Sequence, residues 1–71
     1  MVADSPSLLW TLCKDGHDMA CQARLVSYGV EIDIARDGAT VATRTFENGE
    51  EALAWADRRR AEREAQGWTA C

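Results

Sequence analysis

Apolar and polar residues alternate along most of the chain up to about residue 46, and short glycine-containing turns interrupt the alternation. Asp15-Gly16, Tyr28-Gly29 and Asp37-Gly38 each separate two alternating stretches. Alternation with a period of two is typical of β-strands that bury one face, and Asp-Gly is a strong signal for a two-residue hairpin loop. The pattern therefore predicts four strands joined by three tight turns.

These three turns, placed independently as two-residue loops, bring the apolar residues of all four strands onto one face. In this register Leu25 lies opposite Ile32, and Glu31 forms a cross-strand ion pair with Arg44. A slip of one residue would scatter the apolar set over both faces. The predicted inner face carries Leu8, Trp10, Leu12, Met19, Cys21, Ala23, Leu25, Val30, Ile32, Ile34 and Val41.

The opposite face is predicted to be mixed in character rather than fully polar. It carries Leu9, Thr11, Cys13, Asp18, Ala20, Gln22, Arg24, Val26, Glu31, Asp33, Ala35, Thr40, Ala42, Arg44 and Phe46. For Phe46 the alternative is an inward position, where the sheet meets the next element.

A helical pattern follows the strands. Asn48 is a favourable N-cap, and Glu51 stands three residues later, at the position of a capping-box partner. The helix is predicted to run to about Gln66, with Gly67 as its C-cap glycine and Trp68 folding back on the last turns. The chain therefore reads as an α+β fold with the order ββββα, in which one helix covers the apolar face of an antiparallel meander.

The length of 71 residues limits the chain to one domain with a thin core. We predict a disordered leader at residues 1–7, a single ββββα domain at residues 8–68 and a frayed C-terminus at residues 69–71. The helix contributes little apolar material beyond Leu53 and Trp55, and its second half is polar all round. We therefore expect a homodimer, since self-association would supply what one chain lacks.

Acidic residues outnumber basic residues and give a formal net charge of −4. A protein that binds nucleic acid by electrostatics alone usually carries a basic excess, so this class is disfavoured. The apolar fraction of 46% and the charged fraction of 28% are typical of a folded globular domain. No apolar run approaches the roughly 18 residues of a membrane span, and the first residues lack the order of a signal peptide. We expect a cytoplasmic protein without membrane contact.

Candidate catalytic and metal-binding chemistry is sparse. Cys13, His17 and Cys21 are spaced like zinc ligands, but the predicted register puts the two thiols on opposite faces of a hairpin, and no fourth ligand is near. The odd number of cysteines does not favour a disulfide framework, and Cys71 is expected to be a free terminal thiol. His17, the only histidine, is expected to be a solvated turn residue. We predict no catalytic residue, metal or cofactor, and no enzyme.

Arginines and aromatic rings supply the strongest candidate binding chemistry, because bases stack on such rings in single-strand binders. The alternative is a solvated helix with i,i+4 ion pairs, in which Trp10 and Trp55 belong to the core. The candidate residues for binding nucleic acid or another partner are Arg24, Arg44, Phe46, Arg58, Arg59, Arg60 and Arg63.

The order ββββα, in a short chain expected to pair, resembles the PUR repeat and the wider Whirly-like group. The resemblance covers Leu8 to Gln66 in topology and extends to no sequence motif. It implies two units packed through their helices and sheets, with single-stranded DNA or RNA on the sheet surfaces. The first interpretation is a small non-enzymatic binding or regulatory module of unknown specific function acting as a homodimer, and its candidate partners are another protein or single-stranded nucleic acid. A single-stranded nucleic-acid-binding protein is the alternative, and an enzyme or metal protein comes third.

Overall fold

The sheet is an antiparallel meander with one helix on one face, as predicted. The computed structural model describes residues 6–71. The elements are β1 (Ser7–Lys14), β2 (His17–Val26), β3 (Gly29–Arg36), β4 (Ala39–Phe46), α1 (Gly49–Ala65) and a two-residue strand β5 (Thr69–Ala70). The sheet order is β4-β3-β2-β1-β5. Most of the predicted leader, residues 1–5, lies outside the described residues, and Ser7 already belongs to β1.

The two Asp-Gly loops form as predicted. Asp15 and Asp37 both have φ 52°, and the glycines that follow them have φ 81° and 86°. Two successive residues with positive φ are the signature of a type I′ turn, whose twist matches that of the flanking strands. These turns fix the β1–β2 and β3–β4 hairpins at the sites where the sequence indicates them.

The β2–β3 turn lies one residue earlier than predicted. Val26 pairs with Gly29, so the loop is Ser27–Tyr28, and Tyr28 avoids a positive φ. Gly29 is needed for a different reason, because a Cβ at this position would overlap the carbonyl oxygen of Phe46 on β4. The glycine is thus a point of close backbone approach rather than a turn residue.

This displacement of the loop moves the β2–β3 pairing by two residues. Leu25 pairs with Val30 and is 73% exposed, so the prediction that it is buried opposite Ile32 is wrong. The buried face of α1 begins only at Ala52, which leaves the tip of this hairpin uncovered. Ile32 is fully buried as predicted, since a shift of two residues keeps each side chain on its face.

A β-bulge in β1 exchanges the two leucines at its start. The register against β2 shifts between Leu8 and Trp10, so that Leu8 lies opposite Gln22 and is 58% exposed. Leu9 packs against the core instead. The predicted inward Leu8 and outward Leu9 are therefore both wrong, because the extra residue reverses the alternation ahead of it.

A second bulge, in the β3–β4 pairing, changes the face of half of β4. Ala35 pairs with Thr40 but Ile34 pairs with Ala42, which leaves Val41 as the extra, exposed residue. From Ala42 onward, the β4 residues that were predicted to face outward turn toward the helix. The prediction that Val41 faces inward is wrong. The corrected, helix-facing residues of β4 are Ala42, Arg44 and Phe46.

Both ends of α1 are capped by the predicted residues. The Asn48 side chain accepts a hydrogen bond from the Glu51 backbone N–H at 2.9 Å. At the other end Gly67 has φ 101°, and the Trp68 N–H donates to the Arg63 carbonyl at 3.1 Å, in a Schellman motif. Trp68 returns to the core as predicted. The core consists of Trp10, Leu12, Met19, Cys21, Ile32, Ile34, Ala52, Trp55, Ala56 and Trp68.

The C-terminal residues form structure where the sequence analysis expects a frayed end. Strand β5 pairs with β1 through Leu12–Ala70 and Cys13–Thr69. Cys71 is joined to Cys13 by a disulfide, so the prediction of a free terminal thiol is wrong. The pairing of β5 with β1 brings residues 58 positions apart to a Cα–Cα distance of 5.4 Å, within the range of a disulfide.

Candidate functional site

A groove runs between α1 and the β3–β4 edge of the sheet, with a volume of about 370 Å³. Trp55, Arg59 and Arg63 follow one another at intervals of four residues and therefore share one side of the helix. Arg36 ends β3 on the same face of the sheet as the buried Ile32 and Ile34. We call this feature the arginine groove; its charged and aromatic lining consists of Arg36, Arg59, Arg63, Trp55 and Trp68.

Three guanidinium groups at or beside this site lie over aromatic rings. Arg36 Cζ is 5.4 Å from the centroid of Trp68, and Arg59 Cζ is 5.4 Å from that of Trp55. Arg44 lies beside the groove, 5.8 Å from Trp55 and 5.3 Å from the ring of Phe46. Cation–π contacts of this kind hold the planar guanidinium group while its N–H donors stay available at the edge.

Three of these arginines have no carboxylate partner among the described residues. No ion pair within residues 6–71 includes Arg36, Arg44 or Arg63. Arg63 donates only to the neutral Gln66 side chain, at 3.0 Å. Arg59 pairs with Glu62 at 3.0 Å through one terminal nitrogen, while its Nε is buried without a hydrogen-bond partner in this part of the chain. The groove thus concentrates positive charge in a protein whose net charge is −4.

A second depression continues the groove toward the β1–β2 turn. Lys14 contributes another cation there, and its Nζ donates to the Gln66 carbonyl at 2.7 Å. The same bond satisfies one of the free carbonyls at the C-terminus of α1. This depression is lined by Lys14, Asp15, His17, Arg36, Gln66 and Trp68.

The aromatic rings at the groove are closed to stacking by a base. Trp55 and Trp68 are 8% and 6% exposed, and each has an arginine over its ring. Tyr28 is an exposed ring, but it lies in the β2–β3 turn, outside the groove. The groove therefore offers hydrogen-bond donors and positive charge rather than a stacking platform.

The residues singled out in the sequence are only partly brought together. Arg44, Phe46, Arg59 and Arg63 gather at or beside the groove, around Trp55. Their convergence depends on the β4 bulge, which turns Arg44 and Phe46 to the helix side.

The remaining three candidates lie elsewhere. Arg24 is on the opposite face of the sheet, where it binds Glu31 with its Nε at 2.7 Å. This pair replaces the one predicted between Glu31 and Arg44, and the hydrogen bond to Glu31 raises the pKa of Arg24. Arg58 is exposed on the helix, and Arg60 pairs with Glu64 at 3.2 Å.

Sequence reasoning missed Arg36 as a site residue, although a signal for it was present. Arg36 continues the alternation of Ile32 and Ile34, so its place on the helix face follows from strand parity. Lys14 continues the alternation of Trp10 and Leu12 in the same way. Charged residues at the end of an apolar alternation mark where a covered sheet face opens to solvent.

The residues considered for metal and acid–base chemistry lie in three separate settings. Cys13 is in the disulfide, and Cys21 is buried in the core, where desolvation and then the charge of Asp33 raise its pKa to about 11. His17 Nδ1 lies 2.8 Å from Asp37 Oδ2 on the surface. Hydrogen bonds from the Asp18 backbone N–H and from His17 lower the pKa of Asp37.

Within residues 6–71 no three His, Cys, Asp or Glu side chains are grouped closely enough to hold a metal ion. The helix of the described chain is also not long and apolar enough to cross a membrane.

The uncovered face of the sheet contains a wider depression of about 600 Å³. Its lining includes the small residues Ala20 and Ala35 and the polar residues Thr11, Gln22 and Asp33. The Asp33 carboxylate is partly occupied, because it accepts a hydrogen bond from Thr43 Oγ1 at 2.8 Å. This surface lacks the converging, unpaired charges of the arginine groove.

Comparison with known proteins adds no identification: no family model, curated protein or solved structure matches the chain.

Proposed function

We propose that this protein is a small non-enzymatic binding module whose arginine groove holds an acidic segment of a partner protein. The observation that carries the proposal is a set of three arginines on one side of α1 that form no ion pair within residues 6–71; they are Arg36, Arg44 and Arg63. Guanidinium groups bind carboxylates through two parallel N–H···O bonds. A series of such groups along a groove suits an extended chain carrying several carboxylates.

The distribution of charge supports an anionic ligand despite the net charge of −4. The acidic residues Glu50 and Glu51 lie in the first turn of α1, and Glu31 and Asp33 lie on the opposite face of the sheet. The arginines of the groove are therefore separated from much of the negative charge.

Single-stranded nucleic acid, the alternative implied by the Whirly-like resemblance, shares the negative charge of such a segment. Single-strand binders combine a basic groove with exposed rings on which bases stack. In this groove Trp55 and Trp68 are buried and covered by arginines, so a peptide that needs only donors fits better. The two ligands are distinguished by experiment.

The test measures fluorescence anisotropy of a labelled peptide with six consecutive glutamates and of a labelled single-stranded oligonucleotide, each at two salt concentrations. Replacing Arg36 and Arg63 together by Gln should weaken peptide binding at least about tenfold, which is ~1.4 kcal/mol. The matched control replaces Arg24 and Arg58 by Gln, removing the same charge outside the groove, and should change affinity less than about twofold by the same relation.

Equal losses in the two double variants would show that binding follows overall charge and not the groove. Absence of peptide binding by the unaltered protein would refute the proposal. Tight, salt-sensitive binding of the oligonucleotide alone would favour the nucleic-acid alternative.

We also propose that the protein forms a homodimer. The support is the thin core of a chain this short, which self-association would supplement, together with five large apolar side chains that remain more than half exposed; they are Leu8, Leu25, Tyr28, Val41 and Leu53. Light scattering at micromolar concentration decides the question, and a mass of 7.8 kDa, that of one chain, would refute the dimer.

A further inference from the structure

The last five residues, 67–71, form a strap that joins the end of α1 to β1 and includes one wall of the arginine groove. Trp68 lies within this strap and lines the groove, with Arg36 over its ring. The strap ends at Cys71, whose disulfide to Cys13 is the covalent link between the strap and the sheet. The position of a groove residue is thus tied to a bond that can be reduced.

The noncovalent contacts beyond Trp68 are few. Strand β5 has two residues, both exposed, and the Thr69 hydroxyl reaches the Cys13 carbonyl only at 3.4 Å. Trp68 is held by the burial of its side chain and by one backbone hydrogen bond, from its N–H to the Arg63 carbonyl. A two-residue pairing of exposed residues opens readily, because few buried contacts hold it closed. Beyond Trp68 the disulfide is therefore the main link that keeps the strap against β1.

We propose that the Cys13–Cys71 disulfide is a redox switch for the arginine groove: its reduction releases the strap, displaces Trp68 from the groove wall and weakens binding of the acidic segment. The inference rests on the proposed function of the groove. Displacing Trp68 removes the ring that holds Arg36 and leaves that guanidinium group free to adopt many orientations, so binding loses preorganisation.

The chemistry of the switch needs a dithiol reductant. One thiolate of the reductant attacks the exposed Cys71 sulfur, Cys13 leaves as a thiolate and takes up a proton, and the second reductant thiol resolves the mixed disulfide. Two electrons and two protons pass to the cysteines, and the reductant becomes its own disulfide. The third cysteine does not interfere, because Cys21 is buried on the other face of the sheet and its raised pKa, about 11, keeps it protonated.

The experiment measures affinity for the hexaglutamate peptide with the protein oxidised, reduced by dithiothreitol and reoxidised, together with the variant Cys71→Ser. We expect binding at least fivefold weaker on reduction, recovery on reoxidation, and a permanently weak Cys71→Ser protein that dithiothreitol does not affect. A second readout is amide hydrogen exchange at Trp68, Thr69 and Ala70, which should accelerate on reduction while exchange in β2 and β3 stays slow.

Equal affinity of the oxidised and reduced proteins, with the fold intact by circular dichroism, would overturn the switch. Loss of protection throughout the sheet on reduction would also overturn it, because the disulfide would then hold the whole fold and not the strap. If the oxidised protein binds no peptide, the proposed function fails by itself. Amide exchange at Trp68 then tests release of the strap separately. Exchange that is unchanged on reduction refutes the release, and faster exchange on reduction supports it.

Discussion

Replacing Gly29 by Ala should destabilise the protein more than a glycine-to-alanine change in either of its Asp-Gly turns. Gly29 has φ 150°, and a Cβ built on it would overlap the Phe46 carbonyl oxygen and lie 3.3 Å from the Glu47 Cα. These neighbours are backbone atoms, so they can be relieved only by moving β4 away from β3. The cost combines backbone strain of about 1–3 kcal/mol with overpacking of about 1–3 kcal/mol.

Gly16 supplies the matched control for this substitution. Its φ of 81° is also unfavourable for alanine, but a Cβ there has no atom within 4 Å. Gly16→Ala should therefore cost only the left-handed backbone conformation, about 1–2 kcal/mol. The difference between the two variants reflects the collision with β4 together with the different φ values of the two glycines.

Urea denaturation followed by tryptophan fluorescence measures both variants, because Trp10, Trp55 and Trp68 are all buried. A domain of this size has a total stability of roughly 4–10 kcal/mol. Gly29→Ala should thus have a much lower unfolding midpoint, or be largely unfolded without urea, while Gly16→Ala remains folded. Equal midpoints for the two variants would refute the close approach of Gly29 to Phe46.

Three further predictions concern the cap, the register and the response to pH. Asn48→Ala should lower stability by about 1 kcal/mol, since it removes the acceptor for the first turn of α1, and an unchanged urea midpoint would show that the cap is dispensable. Ile32→Ala should cost about 2–5 kcal/mol and the exposed Leu25→Ala less than about 0.5 kcal/mol; similar losses would contradict the register. The Asp18 N–H lowers the pKa of Asp37, so this carboxylate stabilises the fold above its unfolded pKa and loses that effect as pH falls through its folded pKa. Asp37→Asn should therefore lower the thermal midpoint near neutral pH but not at about pH 2, and an equal loss at both pH values would argue against it.

The order of the elements could be predicted because it depends on turn and cap residues that can be recognised locally in the sequence. The Asp15 and Asp37 turns need positive φ, which Asp-Gly supplies, and the Asn48 cap and Gly67 terminator mark the helix directly. The face of each strand was harder to predict, because a bulge reverses the alternation without changing composition. At the start of β1 the bulge exchanges the faces of Leu8 and Leu9, and because the two residues are identical the sequence gives no sign of the exchange.

The candidate site was predictable only in part, for the same reason. Arg44 reaches the helix side because of the bulge at Val41, and no residue type at this position indicates a bulge in the sequence. Arg36, by contrast, follows from the parity of Ile32 and Ile34. The Cys13–Cys71 bond depends on the distance between two chain positions in the folded sheet, which cysteine counting does not provide.

The covalent link between residues 13 and 71 also determines how the protein would respond to a pulling force. With handles on residues 1 and 71, tension would pass along the first 13 residues and across the disulfide, so that most of the chain bears no load. The fully stretched length between the handles would be about 45 Å, against about 250 Å once the bond is reduced, at roughly 3.5 Å per residue. In the oxidised protein β1 carries the load up to Cys13, whereas β2, β3, β4 and α1 lie outside the load path and cannot be extended by handles on residues 1 and 71.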